Sequence, residues 1–286
     1  MCAAELSKNS FTIILPVYNG ATHLGQQLES IAAQSDSDWQ LLLSDDGSSD
    51  DSPKIIKDFA ARHPDQVSLH SGPNSGLTAH VLELLNVVPE GSGPIALCDQ
   101  DDIWLEDRLA SDRALMANLC SAHPQKPVLL CRRSQLCDET GVPLGLSAPR
   151  PRPPSFGNAL VQNIASGNTM VFNRDLLMSL QNMSDAARDC AYHDWWIYQI
   201  AAGIGGHIHH DTEPKILYRQ HGSNLVGVPR GLRGILARAA RLLSGVGSAE
   251  SATHLAALER VRAHLTPAAQ RQLTAFQSAR KGSLFK

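Results

Sequence analysis

Four short apolar runs punctuate the first 98 residues at helix-length intervals, and each ends in a turn rich in glycine, asparagine or acid. The first two are Phe11-Thr12-Ile13-Ile14-Leu15-Pro16-Val17-Tyr18, before Asn19-Gly20, and Trp39-Gln40-Leu41-Leu42-Leu43-Ser44, before Asp45-Asp46-Gly47. Val67-Ser68-Leu69-His70 then precedes Gly72-Pro73-Asn74-Ser75-Gly76, and Ile95-Ala96-Leu97-Cys98 precedes Asp99. Between them Leu24, Leu28 and Ile31, then Ile55, Ile56 and Phe59, then Leu77, Val81 and Leu84 mark out helices. Unbroken apolar runs suit strands covered on both faces. Strands that alternate with helices of this length form a parallel sheet joined by right-handed crossovers.

The later sequence predicts less regular structure. Residues 127–131 and 169–172 read as strands, Leu176, Leu177 and Leu180 as a helix, 193–202 as another helix, and Ile208 and 215–218 as strands. Pro149-Arg150-Pro151-Arg152-Pro153-Pro154 is too proline-rich for regular structure and predicts a loop over one edge. The expected class is α/β, a mostly parallel central sheet flanked by helices, with a C-terminal helical appendage.

Composition narrows the function classes. With 286 residues, 43% of them hydrophobic and 19% charged, the chain can bury a substantial core. No apolar run has the length of a transmembrane helix, and Met1-Cys2-Ala3-Ala4-Glu5 lacks the pattern of a signal peptide, so a cytoplasmic protein is expected. Six cysteines show neither a C-x-x-C pair nor zinc spacing, which predicts buried thiols rather than disulfides. From Pro229 onward ten Lys/Arg face two Asp/Glu, leaving 15 basic and 26 acidic residues in the remainder. The acidic body argues against a nucleic-acid partner. In residues 229–286, Leu232, Ile235, Leu236, Ala239, Leu242 and Leu243 interleave with Arg230, Arg233, Arg238 and Arg241. That pattern fits either a helix lying on an anionic membrane, peripheral to its inner face, or a helix packed on the body with its arginines solvated.

The chemistry gathers at strand ends. In open α/β sheets ligands bind beyond the carboxyl ends of the strands, where this chain places Asp45 and Asp46 and then Asp99, Asp101 and Asp102. An acidic cluster there is either a solvated turn with a helix cap or a site for a hard divalent cation. Capping would occupy Asp102 or Glu106 and leave Asp99 and Asp101 without a structural task. Asp50 or Ser52 is expected to cap the second helix. His207, His209, His210 and Asp211 lack helical ligand spacing and read as alternation on an exposed strand.

Four motifs in fixed order then carry a resemblance. Leu15-Pro16-Val17-Tyr18-Asn19-Gly20, Ser44-Asp45-Asp46-Gly47-Ser48-Ser49-Asp50, Asn74-Ser75-Gly76 and Asp99-Gln100-Asp101-Asp102-Ile103-Trp104 together resemble glycosyltransferase family two. The likeness continues through Ser166-Gly167-Asn168-Thr169-Met170 and Tyr192-His193-Asp194-Trp195-Trp196 and ends near Tyr218-Arg219-Gln220-His221-Gly222-Ser223-Asn224. The D-Q-D-D-I-W and H-D-W-W variants look most like the rhamnosyltransferase branch, which uses dTDP-rhamnose.

The resemblance implies an inverting, metal-dependent enzyme with the A-type nucleotide-sugar fold, whose nucleotide-binding half is Rossmann-like. It implies a catalytic domain over 1–228, divided into a nucleotide-sugar half (1–110) and an acceptor half (111–228), followed by the basic segment 229–286. Pro16, Val17 and Tyr18 would border the base, Asp45 or Asp46 would bind base or ribose, and Asn74 would join the nucleotide site. Asp99 would touch ribose and, with Asp101, Mg²⁺ or Mn²⁺. Asp194 would be the catalytic base, with His193 and Asp189 next in line. Arg219-Gln220-His221 would lie near the diphosphate, where His221 would contact metal or phosphate, or serve as a hydrogen-bonded structural histidine. Asn168 and Thr169 would touch the acceptor, a saccharide or lipid-linked saccharide of surface polysaccharide assembly; of Trp195 and Trp196, one would belong to the core and the other would stack on the acceptor. Two rivals remain open at this stage: a Mg²⁺-dependent phosphoesterase and a non-catalytic sugar-nucleotide-binding module.

Overall fold

A computed structural model of the chain describes residues 10–88, 91–150, 152–220 and 246–281. His221 and the first part of the basic segment, including Arg230, Arg233, Arg238 and Arg241, lie outside the described residues.

The four apolar runs form β1 (Phe11–Val17), β2 (Trp39–Asp45), β3 (Val67–Ser71) and β4 (Ile95–Leu97). The helices between them are α1 (Ala21–Ala32), α2 (Ser52–Arg62) and α3 (Leu77–Val87). After β4 come β5 (Ile103–Trp104), α4 (Arg108–Ala122), β6 (Val128–Arg132), β7 (Gln135–Cys137) and β8 (Pro143–Leu146). The chain continues through α5 (Phe156–Ala159), β9 (Val171–Phe172), α6 (Arg174–Asn182), α7 (Ser184–Ala187) and α8 (His193–Gly203). Strands β10 (His207–Asp211) and β11 (Ile216–Arg219) and helices α9 (Val246–Arg260) and α10 (Pro267–Lys281) complete it.

The main sheet runs β10-β6-β9-β4-β1-β2-β3. All its pairs are parallel except those of β9, which lies antiparallel to β4 and β6. Successive strand residues point to opposite faces, and β1 feeds a core on each. Ile13, Leu15 and Val17 join Leu24, Leu28, Phe59, Leu109 and Met116 on one side. Ile14 joins Val81, Leu85, Leu177, Trp196 and Leu258 on the other. Helix α8 is buried on almost every side. Helices α9 and α10 and the turn between them share its core through Ala257, Leu258, Leu265 and Leu273, so this part of the basic segment packs on the body. Among the described residues no helix is long and apolar enough to cross a membrane.

A second sheet, β5-β11-β7-β8, was not foreseen. Of its strands only β11 falls on a stretch that reads as a strand; β7 and β8 carry no apolar run, and one edge strand is the pair Ile103-Trp104. The β-branched and aromatic pair runs antiparallel to β11, with Ile216 opposite Trp104, and α4 starts only at Arg108.

Candidate functional site

Strands β2 and β3 lie on one side of β1 and β4 on the other, so the strand order reverses between β1 and β4. A crevice opens at such a point. Strand β4 pairs with Thr12, Ile13 and Ile14, and the Cys98 N–H donates to the Ile14 carbonyl at 3.0 Å. Two residues on, Pro16 has no N–H for a further rung, and the strands part. Pro16 is buried and Val17, 1% exposed, packs into the core, so of the three expected base neighbours Tyr18, at 48%, alone presents its side chain. Across the crevice, Gln100 Oε1 accepts the Tyr18 N–H at 2.9 Å and Gln100 Nε2 donates to the Tyr18 carbonyl at 3.1 Å. A Cβ on Gly20 would stand 2.4 Å from Gln100 Oε1, so any larger residue there would push the Gln100 amide off the Tyr18 backbone.

The turn after β2 is tied to the same place. The Asn19 N–H donates to Ser48 Oγ at 2.9 Å and the Ser49 N–H to Asn19 Oδ1 at 2.8 Å. Asp50 Oδ2 accepts the Ala21 N–H at 3.0 Å and Ser52 Oγ accepts the Gly20 N–H at 2.9 Å. The expected caps of α2 therefore fasten the β1 turn instead, although Asp50 Oδ1 still accepts the Ser52 N–H at 3.0 Å.

The adjacent acids have different tasks. Asp46 is 3% exposed, and its two oxygens accept the N–H groups of Ser75 (3.0 Å) and Gly76 (2.8 Å) at the start of α3, with His80 Nδ1 3.7 Å away. Asp45 Oδ2 accepts the Ser48 N–H at 3.1 Å, while its buried Oδ1 has no hydrogen-bond partner among the described residues. An unmet buried acceptor costs about 1–3 kcal/mol, which a ligand donor can relieve. Asn74, exposed and left-handed at φ 64°, lies beside this turn: a Cβ on Gly47 would meet its Cβ at 3.3 Å.

The acidic loop after β4 divides similarly. Asp102 is fully buried, accepting from Asn168 Nδ2 at 2.5 Å and from the Arg219 N–H at 3.4 Å. The expectation that Asp102 or Glu106 caps α4 is corrected: Asp107 holds the N-cap position and makes no side-chain capping bond. The Arg219 guanidinium donates to the Asp101 carbonyl at 2.9 Å, to Gln26 Oε1 at 2.7 Å and to the Glu139 carbonyl. It clamps the loop from inside.

Burial, then the charge of Asp101, pushes the Asp102 carboxyl up to about 7. Asp99 is raised well above the usual carboxylate range, first by burial and then by Asp102, Asp101 and Asp194. Arg108, buried with its guanidinium 3.7 Å from the Trp104 ring centroid, opposes both shifts. Four acids thus crowd a low-dielectric site that a cation would relieve. No three His, Cys, Asp or Glu side chains converge as a metal centre among the described residues. Asp99 and Asp101 suit an ion of the Mg²⁺ or Mn²⁺ kind, which takes one or two carboxylates and completes its shell with water and substrate phosphates.

Asp194 reaches this site from far along the chain, at the first turn of α8. Its Oδ1 accepts the Trp195 N–H at 2.7 Å and its Oδ2 the Gly167 N–H at 3.3 Å. Its charge contributes to the raised Asp99 carboxyl, so residues 99 and 194 share one electrostatic site. His193 is buried, which lowers its basicity, and exposed Asp189 pairs with Arg260 at 2.9 Å.

Several acceptor-side expectations are corrected. Asn168 is buried, accepting from Ser166 Oγ at 2.7 Å while donating to Asp102, and the Thr169 hydroxyl donates to the Ser166 carbonyl at 2.9 Å. Both residues hold the loop. Trp195 and Trp196 are both buried, and the Trp195 indole donates to the Ala159 carbonyl at 2.7 Å, which leaves neither ring to stack on a sugar. His207 stacks on His123 at 3.8 Å and Asp211 pairs with Arg132.

The sequence reading missed Gln100 and Arg108 as groups that shape the crevice. Gln100 was legible as the polar member of D-Q-D-D. Arg108 looks like a surface cation until its partners are known. Arg219, expected near the diphosphate, has its guanidinium on Asp101, Gln26 and Glu139.

Residues 12–117 match the family model described as glycosyl transferase family 2. The dTDP-rhamnosyl transferase RfbG of Shigella flexneri is 27% identical over 74% of this chain and 73% of its own length. S. aureus TarS 1–349 in complex with UDP-GlcNAc superposes with a TM-score of 0.57 at 15% identity, over 87% of this chain and 71% of that one. Without ligand, the match spans 60% of TarS 1–349. The mannosyltransferase PcManGT from Pyrobaculum calidifontis, in complex with GDP-Man and Mn²⁺, gives a TM-score of 0.50 at 21% identity over 96% of this chain and 81% of that one. These neighbours share the A-type fold.

Proposed function

We propose that this chain, a glycosyltransferase whose residues 12–117 belong to family 2, transfers L-rhamnose from dTDP-rhamnose, with inversion, to a saccharide or lipid-linked saccharide in surface polysaccharide assembly. The observation that carries the reading is the gathering of Asp99, Asp101 and Asp194 at the strand-order reversal, from sequence positions nearly a hundred residues apart. The relative RfbG supports the donor assignment, and the neighbour with Mn²⁺ supports a divalent cation.

Tyr18, Asn74 and the unmet Asp45 oxygen would receive the nucleoside, with Asp45 Oδ1 accepting a base or ribose hydrogen. Asp46, with both oxygens engaged, would hold α3 and the loop carrying Asn74. Asp99 and Asp101 would hold Mg²⁺ or Mn²⁺, which when bound neutralises charge accumulating on the leaving diphosphate. Asp194 would take the proton of the acceptor hydroxyl as that oxygen bonds to the anomeric carbon and the carbon–diphosphate bond breaks. The N–H groups of Trp195 and Gly167 aim its carboxylate. Attack from the face opposite the leaving group accounts for base and metal ligands coming from distant parts of the chain.

The catalytic domain is taken to run over 1–228, and α9 and α10 of the following segment pack on its core. Arg230, Arg233, Arg238 and Arg241 would give it a peripheral, salt-sensitive hold on anionic membrane. Thermal shift with dTDP-rhamnose, UDP-GlcNAc and GDP-mannose, each with Mn²⁺ or EDTA, tests the donor reading, since a ligand that binds only the folded state raises its stability. The largest shift is expected for dTDP-rhamnose with Mn²⁺. A larger shift with either other donor refutes the rhamnose assignment.

A further inference from the structure

Helix α9 grips the turn that carries Asp194. His254 is fully buried, and its ring packs on that of Trp195 with centroids 4.6 Å apart. Its Nδ1 lies 2.9 Å from Gln199 Oε1, and its Nε2 accepts the Tyr192 N–H at 3.3 Å. Gln199 Nε2 donates to the Ala159 carbonyl at 3.1 Å. Its Oε1 is therefore the acceptor, which puts the His254 proton on Nδ1 and leaves Nε2 bare for Tyr192. The Ala159 carbonyl also receives the Trp195 indole, and the Tyr192 hydroxyl donates to Glu250 Oε1 at 2.5 Å.

Packing alone would be met by any apolar ring; here both imidazole nitrogens are used, on Tyr192 and Gln199, which bracket Asp194 in the chain. Trp195 is held by its indole and its ring, while its backbone N–H holds the Asp194 carboxylate. Resting on the reading of Asp194 as the base, we propose that His254 is a positioning residue, which fixes the first turn of α8 from the C-terminal helix and so aims the Asp194 carboxylate. A displacement of 1 Å at a reacting group can cost about 100-fold in rate.

The test uses the full chain, dTDP-rhamnose with Mn²⁺, and water as the acceptor, following dTDP release alongside amide hydrogen exchange over 190–197. His254→Phe keeps a ring against Trp195 but removes both hydrogen bonds. It is expected to speed exchange in that segment and to cut kcat at least about tenfold with little change in donor KM. His254→Gln, which returns an acceptor to the Tyr192 N–H, should recover most of both. Leu258→Ala, a core variant of the same helix, should lower Tm without either effect. Wild-type exchange over 190–197 in His254→Phe overturns the proposal, as does an equal kcat loss in Leu258→Ala at matched Tm. If Asp194→Asn releases dTDP at the wild-type rate, the base assignment fails and this inference with it. If Asp194→Asn is inactive while His254→Phe is fully active, the positioning role alone fails.

Discussion

The Asn168 amide donates to Asp102 Oδ2 at 2.5 Å, joining two buried side chains 66 residues apart. One acid of the D-Q-D-D loop is thereby spent on the protein itself. The bond ties the loop after β4 to the Ser166-Gly167-Asn168 turn, whose Gly167 N–H meets Asp194. The acids proposed for metal and for proton transfer are thus braced through one intermediate pair.

The neighbouring acids Asp45 and Asp46 should respond oppositely to removal. Asp46→Ala strips two charge-assisted hydrogen bonds from the start of α3 and is expected to cost about 2–4 kcal/mol in chemical denaturation. Asp45→Ala loses the Ser48 bond together with an unmet buried acceptor, two effects of opposite sign, so stability should change by less than about 1 kcal/mol, while donor affinity measured by calorimetry falls. A stability loss for Asp45→Ala equal to that of Asp46→Ala would show that the Asp45 carboxylate is structural.

Asp101→Ala is expected to abolish the metal-dependent part of donor binding. Donor is titrated into wild type and variant, each with Mn²⁺ and with EDTA. The wild type should bind more tightly with Mn²⁺ and the variant equally weakly in both. Equal affinity in all four titrations would remove the metal role from this loop.

Asp194→Asn keeps the shape of the side chain and an oxygen for one of its two backbone donors. Tm and donor affinity should stay near wild type while turnover falls about 10²–10⁴-fold, the usual contribution of a general base. Turnover near the wild-type rate would move the base elsewhere.

Acid should unfold this protein partly through His254. Burial lowers its basicity to about 4, against the ordinary 6.5, with only Glu250 opposing. The unfolded chain therefore takes up a proton that the folded chain refuses. The associated stability is full above about pH 6.5 and is lost as pH falls from there toward 4. The buried Asp102, raised to about 7, works in the other sense, losing stability as pH rises. Comparing variants isolates the histidine: between about pH 7.5 and 4.5 wild type should lose more Tm than His254→Gln. Parallel curves would exclude this origin of acid sensitivity.

The fold was legible wherever structure depends on neighbours in sequence. Apolar runs in β1, β2 and β4 and the 3.6-residue spacing in α1 to α3 are local signals, and each element forms where they fall. The second sheet was not legible, because Ile103-Trp104 becomes a strand only through pairing with Ile216 and Leu217. The motifs located the acids and missed their division of labour. Asp45 and Asp46 look alike in sequence; they differ because the N–H groups of Ser75 and Gly76 reach one and not the other. Trp195 looked available for a sugar until Ala159 and His254 closed over it.

Ile14 in the first strand and Leu273 in the last helix belong to one apolar cluster. Synthesis runs from the N-terminus, and domains fold as units while the chain emerges. Here the cluster that begins at the sheet lacks its outermost members until α10 has been made. A chain stopped before α10 would therefore carry every residue proposed for the donor site over a core that is not yet filled.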